Sequence, residues 1–176
     1  MLVRKNLDRR TLGYMFHNMY NRCYREDYLE KNPQYKGCSI CDEWLNDREA
    51  FYNWVAENYY IIDGEQIDLD KDILVKGNKV YSPDTCIFAP HVINTYFENF
   101  TRKPVPLKSG KYRMDIYIDG KTVPLGIFDT EEKAKLEFIK HKEAAIVTKA
   151  DLYRDKIPAR LYKAMLDFKV ELSDWN

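Results

Sequence analysis

Three aspartates alternate with apolar or basic residues near the middle of the chain, in the segment Ile-Asp-Leu-Asp-Lys-Asp-Ile at positions 67–73. This alternation is typical of a β-strand and predicts that Asp68, Asp70 and Asp72 share one face. Clustered carboxylates are the oxygen ligands that Mg²⁺ takes in proteins. The alternative is a solvated strand face that binds nothing, and the alternation alone leaves both open.

Four cysteines, all in the first half of the chain, form a second group with chemical potential. The N-terminus has no apolar leader, so we expect a reducing compartment in which stable disulfides are rare. Cys38 and Cys41 have the two-residue spacing of a zinc knuckle, and Cys23 and Cys86 would complete a four-thiolate structural zinc site. The alternative is four free thiols packed as small apolar core residues.

Charge is distributed unevenly, although the formal net charge is zero. Residues 1–36 carry eight basic and four acidic side chains, residues 37–74 two and ten, and residues 101–176 sixteen and twelve. Local basic surface is what a nucleic-acid binder needs, so two basic segments keep that class of partner open. Apolar runs are only a few residues long, so the sequence predicts no membrane span and no membrane partner.

The elements that must position these residues divide into two groups. We predict an amphipathic helix over 11–31, a helix over 47–58 that begins at Asp47, and a linker at 101–110. After the linker, Asp119-Gly120 predicts a hairpin turn, and Thr130 predicts the start of a helix that runs to about residue 148. A further helix is predicted after Pro158. With 176 residues, we expect two small domains, at 1–100 and 101–176.

The segment around 101–150 resembles the APETALA-type DNA-binding domain of plant ethylene-response factors and its phage-borne relatives. The matching features are Tyr112, the hairpin turn, Leu125-Gly126-x-Phe128-Asp129-Thr130 and an alanine-bearing helix. The resemblance implies a three-stranded sheet whose outer face lies in the major groove. Pro124 stands where the family commonly has tryptophan. The DNA-binding residues it implies are Arg102, Lys103, Lys108, Lys111, Arg113, Tyr117, Lys121 and Thr122.

The first half resembles a phage and mobile-element family related to HNH nucleases. The matching motifs are Arg22-Cys23-Tyr24, Gly37-x-x-x-Cys41-Asp42-x-Trp44, Leu69-Asp70-x-Asp72 and Gly77-Asn78-x-x-Tyr81-Ser82-Pro83-Asp84-x-Cys86. The resemblance implies metal-assisted hydrolysis of DNA, with Mg²⁺ among Asp70, Asp72, His91 and Asn94 as catalytic residues. Active relatives carry a general-base histidine after the strand aspartate, where this chain has Lys71. For His91, a surface or helix-capping role is the alternative.

Together these observations predict an α+β protein, with an N-terminal helical, ββα-metal-like domain followed by a small antiparallel three-stranded sheet packed on a helix. We expect a double-stranded DNA-binding protein of the phage HNH homing-endonuclease lineage, with a degenerate site for metal-dependent cleavage. The resemblance implies action in the cytoplasm of a phage-infected bacterial cell. The alternative is a catalytically inactive phage regulator or inhibitor that binds DNA or a host protein. A third possibility is a protein-binding module whose fourteen tyrosines mark an interface.

Overall fold

The computed structural model describes residues 2–97 and 101–175 and has the expected mixed α+β composition. It divides into two compact units, Met1–His91 and Val92–Asn176, whereas the sequence suggested a division after residue 100. The helices are α1 (Arg9–Tyr24), α2 (Glu26–Lys31), α3 (Asp42–Asn46), α4 (Arg48–Asn58), α5 (His91–Phe97), α6 (Glu131–Tyr153) and α7 (Ala159–Asp167). Among the described residues, no helix is long and apolar enough to cross a membrane.

The strands are short in the first unit and longer in the second. They are β1 (Val3–Arg4), β2 (Ser39–Ile40), β3 (Tyr60–Ile61), β4 (Ile67–Asp70), β5 (Val80–Tyr81), β6 (Ile87–Pro90), β7 (Val105–Pro106), β8 (Tyr112–Ile118) and β9 (Lys121–Phe128). In the first unit β1 pairs with β3 and β4 with β6, both antiparallel, while β2 and β5 pair in parallel. In the second unit β7, β8 and β9 form one antiparallel sheet in that order.

The first unit is built around aromatic side chains supplied by helices. Trp44 from α3 and Phe51 from α4 are completely buried, with their ring centroids 5.0 Å apart. Phe16, Met19 and Cys23 form the buried stripe of α1, and Phe16 contacts Phe51 edge to face. Asp47 accepts a hydrogen bond from the Glu49 N–H, which confirms the predicted start of α4.

The prediction of one helix over 11–31 is wrong, because the chain breaks between α1 and α2. The backbone at Arg25 is extended, with φ −88° and ψ 112°. The break is fixed from both sides: the Tyr24 hydroxyl accepts the Ile40 N–H at 3.0 Å, and the Arg25 guanidinium donates to Asp27. These contacts involve a backbone N–H far along the sequence and an ion pair, so the apolar periodicity does not reveal the break.

The predicted strand over 67–73 is correct only as far as Asp70, and its placement of Asp72 on the strand face is wrong. Asp70 Oδ1 accepts the backbone N–H groups of Asp72 and Ile73, both at 2.7 Å. A side chain that binds the backbone two and three residues ahead turns the chain away from extended geometry. Asp68 and Asp70 remain at alternate positions of β4, opposite Ala89 and Ile87 of β6.

The second unit confirms the predicted hairpin and the predicted helix start. β8 and β9 flank the Asp119-Gly120 turn, and both turn residues have positive φ, as such a two-residue turn requires. The Thr130 hydroxyl accepts the Lys133 N–H and caps α6, which runs five residues beyond the predicted end at 148. A helix follows Pro158, as predicted. The core joins the sheet to α6 through Met114, Ile116, Ala134 and Phe138.

Two details of this sheet depart from the sequence reading. The predicted linker at 101–110 contains β7, which pairs with β8 and completes the three-stranded sheet. The pairing of β8 with β9 also skips one residue: Met114 pairs with Gly126 and Asp115 with Pro124, so Leu125 has no cross-strand partner. Gly126 has φ +131°, a conformation that glycine adopts without strain, and this β-bulge is built around it.

Candidate functional site

The sheet of the second unit has one buried and one exposed face, as strand alternation predicts. Met114 and Ile116 are each 1% exposed and pack toward α6, whereas Arg113 and Tyr117, which flank this pair on β8, are exposed and Asp115 is half-buried. Across the sheet Arg113 lies between Val105 of β7 and Ile127 of β9. The outer face is therefore open to solvent and carries large apolar side chains together with polar ones.

Basic side chains surround this outer face. All of the residues implied in DNA binding are exposed, namely Arg102, Lys103, Lys108, Lys111, Arg113, Tyr117, Lys121 and Thr122. Two of the cations form ion pairs: Lys111 Nζ lies 3.1 Å from Asp129 Oδ1, and Arg113 Nε lies 3.3 Å from Asp115 Oδ2. The hydrogen bond from Lys111 holds the pKa of Asp129 below its usual range. Pairing at the surface is weak and leaves these cations able to exchange partners.

The hairpin turn is fastened to α6 by Asp119. Its Oδ1 accepts hydrogen bonds from Lys149 Nζ at 2.7 Å and from the Tyr96 hydroxyl of α5 at 2.9 Å. The bond from Lys149 lowers the pKa of Asp119. The turn that joins β8 to β9 therefore has a fixed position over the C-terminal half of α6.

Lys142 lies two turns before Lys149 on α6 and is buried without a carboxylate. It is 5% exposed, and its ammonium group lies 5.5 Å from the centroid of the Tyr96 ring, with Lys149 at 5.4 Å from the same centroid. Within 2–97 and 101–175 it forms no ion pair. Burial lowers the pKa of Lys142 to about 8, because no carboxylate among the described residues pairs with the desolvated charge.

The aspartate region of the first unit has a different arrangement. Lys71 follows β4, is 6% exposed, and places its Nζ 3.0 Å from Asp72 Oδ2. Burial alone would lower the pKa of Lys71, but the charge of Asp72 and their hydrogen bond raise it above the usual value. The pKa of Asp70 is also raised, first by burial and then by the neighbouring charge of Asp72. Asp72 therefore serves as the counter-ion of Lys71.

Aromatic rings and a second cation surround Lys71. Its ammonium lies 6.0 Å from the centroid of the Tyr35 ring and 5.8 Å from that of Tyr81. Arg22 of α1 lies 5.5 Å from the same Tyr35 ring and hydrogen-bonds Tyr81. Cations over ring faces are stabilised by the ring quadrupole, so the two rings favour the charged form of Lys71.

His91 meets an aspartate that was not among the predicted catalytic residues. Its Nδ1 lies 2.6 Å from Asp68 Oδ2, and its backbone N–H donates to the Gln66 carbonyl. The Gln66 amide donates to the other oxygen of Asp68 at 2.7 Å. The pairing follows from the β4–β6 register, in which Ile67 lies opposite Pro90, and recognising these two segments as a hairpin would have found it. Asn94 is buried, and it belongs to the second unit.

The four cysteines are free thiols, and Cys23, Cys38 and Cys86 are buried. Burial raises the pKa of Cys23 and of Cys86 to about 12, so both are neutral thiols near pH 7. Among the described residues, no three His, Cys, Asp or Glu side chains are arranged to hold a metal ion. The zinc site and the Mg²⁺ site remain predictions.

Comparison of the chain with protein-family models, with curated proteins and with solved structures finds no match. The interpretation of the site therefore depends on its own geometry.

Proposed function

We propose that this protein binds double-stranded DNA through the outer face of the β7–β8–β9 sheet. The observation that carries the proposal is the separation of the two sheet faces: Met114 and Ile116 fill the core, while Arg113 and Tyr117 on either side of them are exposed, with further exposed lysines nearby. A two-stranded ribbon fits the major groove of B-DNA, and lysine and arginine side chains neutralise phosphates. The order of elements also agrees with the APETALA-type resemblance.

The polar and apolar groups of the outer face have complementary tasks in this proposal. Lys111 precedes β8, and Lys121 lies beside the turn opposite Ile118, so these two exposed cations stand at opposite ends of the hairpin, at the edge of the outer face, and would contact phosphates. Arg113 at the centre is the side chain suited to a bidentate contact with guanine. Ile127, beside it on β9 and 59% exposed, offers an apolar surface for a thymine methyl group.

The test is duplex affinity measured over a salt series for the wild type and for the variant Lys111→Gln/Arg113→Gln/Lys121→Gln. We expect the variant to bind at least tenfold more weakly, with a slope of log affinity against log salt that is smaller by about 2–3. The matched control is Lys140→Gln on α6, which removes an exposed cation outside the sheet and should leave the affinity unchanged. Equal affinity of wild type and triple variant would contradict the proposal.

Cleavage is the second candidate activity, and the exposed Asp68–His91 pair favours it, because a carboxylate-oriented imidazole can act as a general base. Two observations favour binding without efficient cleavage. Lys71, at the position of the base in active relatives, is a cation held by Asp72, and Asp70 Oδ1 is bound by two backbone N–H groups. The proposal is thus a DNA-binding protein of the HNH lineage with a degenerate catalytic site; the alternative is an inactive regulator that binds a host protein.

Plasmid nicking with Mg²⁺ or Mn²⁺ tests the catalytic part. Nicking by the wild type that is lost in Asp70→Ala would establish a nuclease in spite of Lys71. Nicking that is instead lost in His91→Ala and retained in Asp70→Ala would assign the activity to the Asp68–His91 pair. Salt-dependent binding with no nicking by any form supports a DNA-binding regulator.

A further inference from the structure

Helix α1 has an outer face with an unusual composition. The helix buries Phe16, Met19 and Cys23, and its exposed side chains, apart from Arg9 in its ion pair with Glu49, are Arg10, Tyr14, His17, Asn18, Tyr20 and Tyr24. We refer to these six residues as the α1 outer face. Residues 9–24 include no Asp or Glu. A solvated helix face ordinarily mixes both charges, so an outer face of aromatic, amide and basic side chains requires another explanation.

The tyrosines of this face are exposed. Tyr14 is 55% exposed, Tyr20 42% and Tyr24 38%. Their rings are nevertheless ordered by neighbours: Arg10 lies 5.6 Å from the Tyr14 ring centroid and donates to its hydroxyl at 3.3 Å, and the Tyr20 and Tyr24 centroids are 4.9 Å apart. Side chains that already hold one another lose less entropy when a partner binds.

Charge favours an anionic partner. Arg4 and Lys5 are exposed just before α1, and Arg10 forms no ion pair within the described part of the chain. Asp8, the nearby carboxylate, accepts the Thr11 N–H as the helix cap, and its charge also interacts with that of Arg10. Residues 37–74 of the same unit carry ten acidic and two basic side chains and would repel an anion. The α1 outer face is thus a basic and aromatic surface on an otherwise acidic unit. An anionic polymer would bind more favourably at this face than at the acidic residues of the same unit.

We propose that the α1 outer face is a second duplex-binding surface, in which α1 lies in a groove with Arg10 at a phosphate and Tyr14 and Tyr20 against the sugar–base wall. This inference rests on the proposed DNA-binding function. A helix of 16 residues is about 24 Å long, and the major groove of B-DNA admits one helix. The first unit then contributes to affinity by a contact of its own, in addition to the sheet of the second unit.

The test compares duplex affinity of the full chain with that of the variant Arg10→Gln/Tyr14→Ala/Tyr20→Ala. All three side chains are exposed, so the fold should be retained, and circular dichroism and thermal melting check this. Tyr24 is left unchanged because its hydroxyl binds the Ile40 N–H. We expect at least tenfold weaker binding and a salt slope smaller by about 1, since one phosphate contact is removed.

The matched control is Arg154→Gln/Tyr162→Ala, which removes another arginine–tyrosine pair, with 5.7 Å between the guanidinium and the ring centroid. It should bind like the wild type. If the sheet variant weakens binding and the α1 variant does not, the second surface is refuted while the proposed function stands. If the wild type binds no duplex at any salt concentration, both are refuted. The α1 variant could instead bind duplex as tightly as the wild type but lose a protein that the wild type binds. That result would assign the α1 outer face to protein recognition and overturn the inference.

Discussion

Lys71 in the first unit and Lys142 in the second are buried to nearly the same extent, at 6% and 5% exposure, yet their pKa values move in opposite directions. Burial lowers the pKa of both. Asp72 reverses the effect at Lys71, whereas at Lys142 the neighbouring groups are the Tyr96 ring and another ammonium, that of Lys149. At these two equally buried lysines, the presence of a counter-charge rather than the depth of burial therefore decides the direction of the pKa shift.

The two clusters also differ in charge balance. Around Lys142 and Lys149, two ammonium groups share one ring and one carboxylate, Asp119, which bonds Lys149. Around Lys71 the carboxylate belongs to the adjacent residue. We therefore expect the Lys142 cluster to cost stability at neutral pH and the Lys71 pair to resist disruption. Three substitutions test this difference.

The largest effect is expected from Lys142→Met, which removes the uncompensated charge and keeps the length of the side chain. The pKa of Lys142 is about 8 in the folded state, whereas its ordinary value is 10.5. Charging the buried amine therefore costs about 3 kcal/mol at pH 7. The folded wild type holds fewer protons than the unfolded chain between these values, so its stability rises from pH 8 to pH 10.5. The variant should be about 3 kcal/mol more stable at pH 7 and lack this rise.

Unfolding in urea is monitored through the hydrogen exchange of the β8 amides. This measures the stability of the second unit at each pH. Lys140→Met, at an exposed position of the same helix, is the control and should change the stability by less than about 0.5 kcal/mol. Parallel pH profiles for the wild type and the Lys142 variant would contradict the interpretation of the cluster.

A smaller effect of opposite sign is expected from Asp72→Asn. The substitution keeps the shape of the side chain and leaves Lys71 without its counter-ion, which costs about 2 kcal/mol. The loss is less than for a completely buried pair, because the Asp72 side chain is 42% exposed. Tryptophan fluorescence in urea reports on the first unit through Trp44, and Asp63→Asn in an exposed turn is the control. Unchanged stability would mean that the Tyr35 and Tyr81 rings alone hold the charged Lys71.

Asp70→Asn applies the same test to a buried carboxylate. The amide retains an Oδ1 acceptor for the Asp72 and Ile73 N–H groups and removes a charge disfavoured by burial and by Asp72. Because the pKa of Asp70 is raised in the folded state, wild-type stability falls as pH increases from about 4 through the raised value. The variant should be more stable than the wild type at pH 7 and show a flatter profile. A loss of stability at pH 7 would show that the Asp70 charge is favourable.

The sequence predicted elements with local signals and missed features that need distant contacts. The Asp119-Gly120 turn and the Thr130 cap are encoded within a few residues, so both were found. The break at Arg25 depends on Ile40, fifteen positions further along the chain, and the periodicity of the helix gives no sign of it. Lys142 looks like one more charged residue on a helix rich in lysine, because its burial comes from Tyr96.

The candidate site was predictable to a similar degree. The alternation that buries Met114 and exposes Arg113 follows directly from the two-residue period of a strand. The partner of His91 was missed, since Asp68 becomes its neighbour only through the pairing of β4 with β6. Asp72 was placed on the strand face because backbone hydrogen bonds to the Asp70 side chain, which end the strand, have no signature in the alternation.

The bulge at Gly126 determines which residue of β9 can be deleted without altering the outer face of the sheet. The outward residues of β8 lie opposite Thr122, Pro124 and Ile127 of β9. Pro124 and Ile127 are three positions apart rather than two, because the bulge adds one residue between them. Deleting Gly126 would leave Leu125 opposite Met114 and keep these three residues on alternate positions. Deleting Val123 would instead invert one part of the strand relative to the other. The gene for this hairpin can therefore lose the Gly126 codon with its outer face intact, whereas the loss of a codon such as that for Val123 would turn part of that face toward the core.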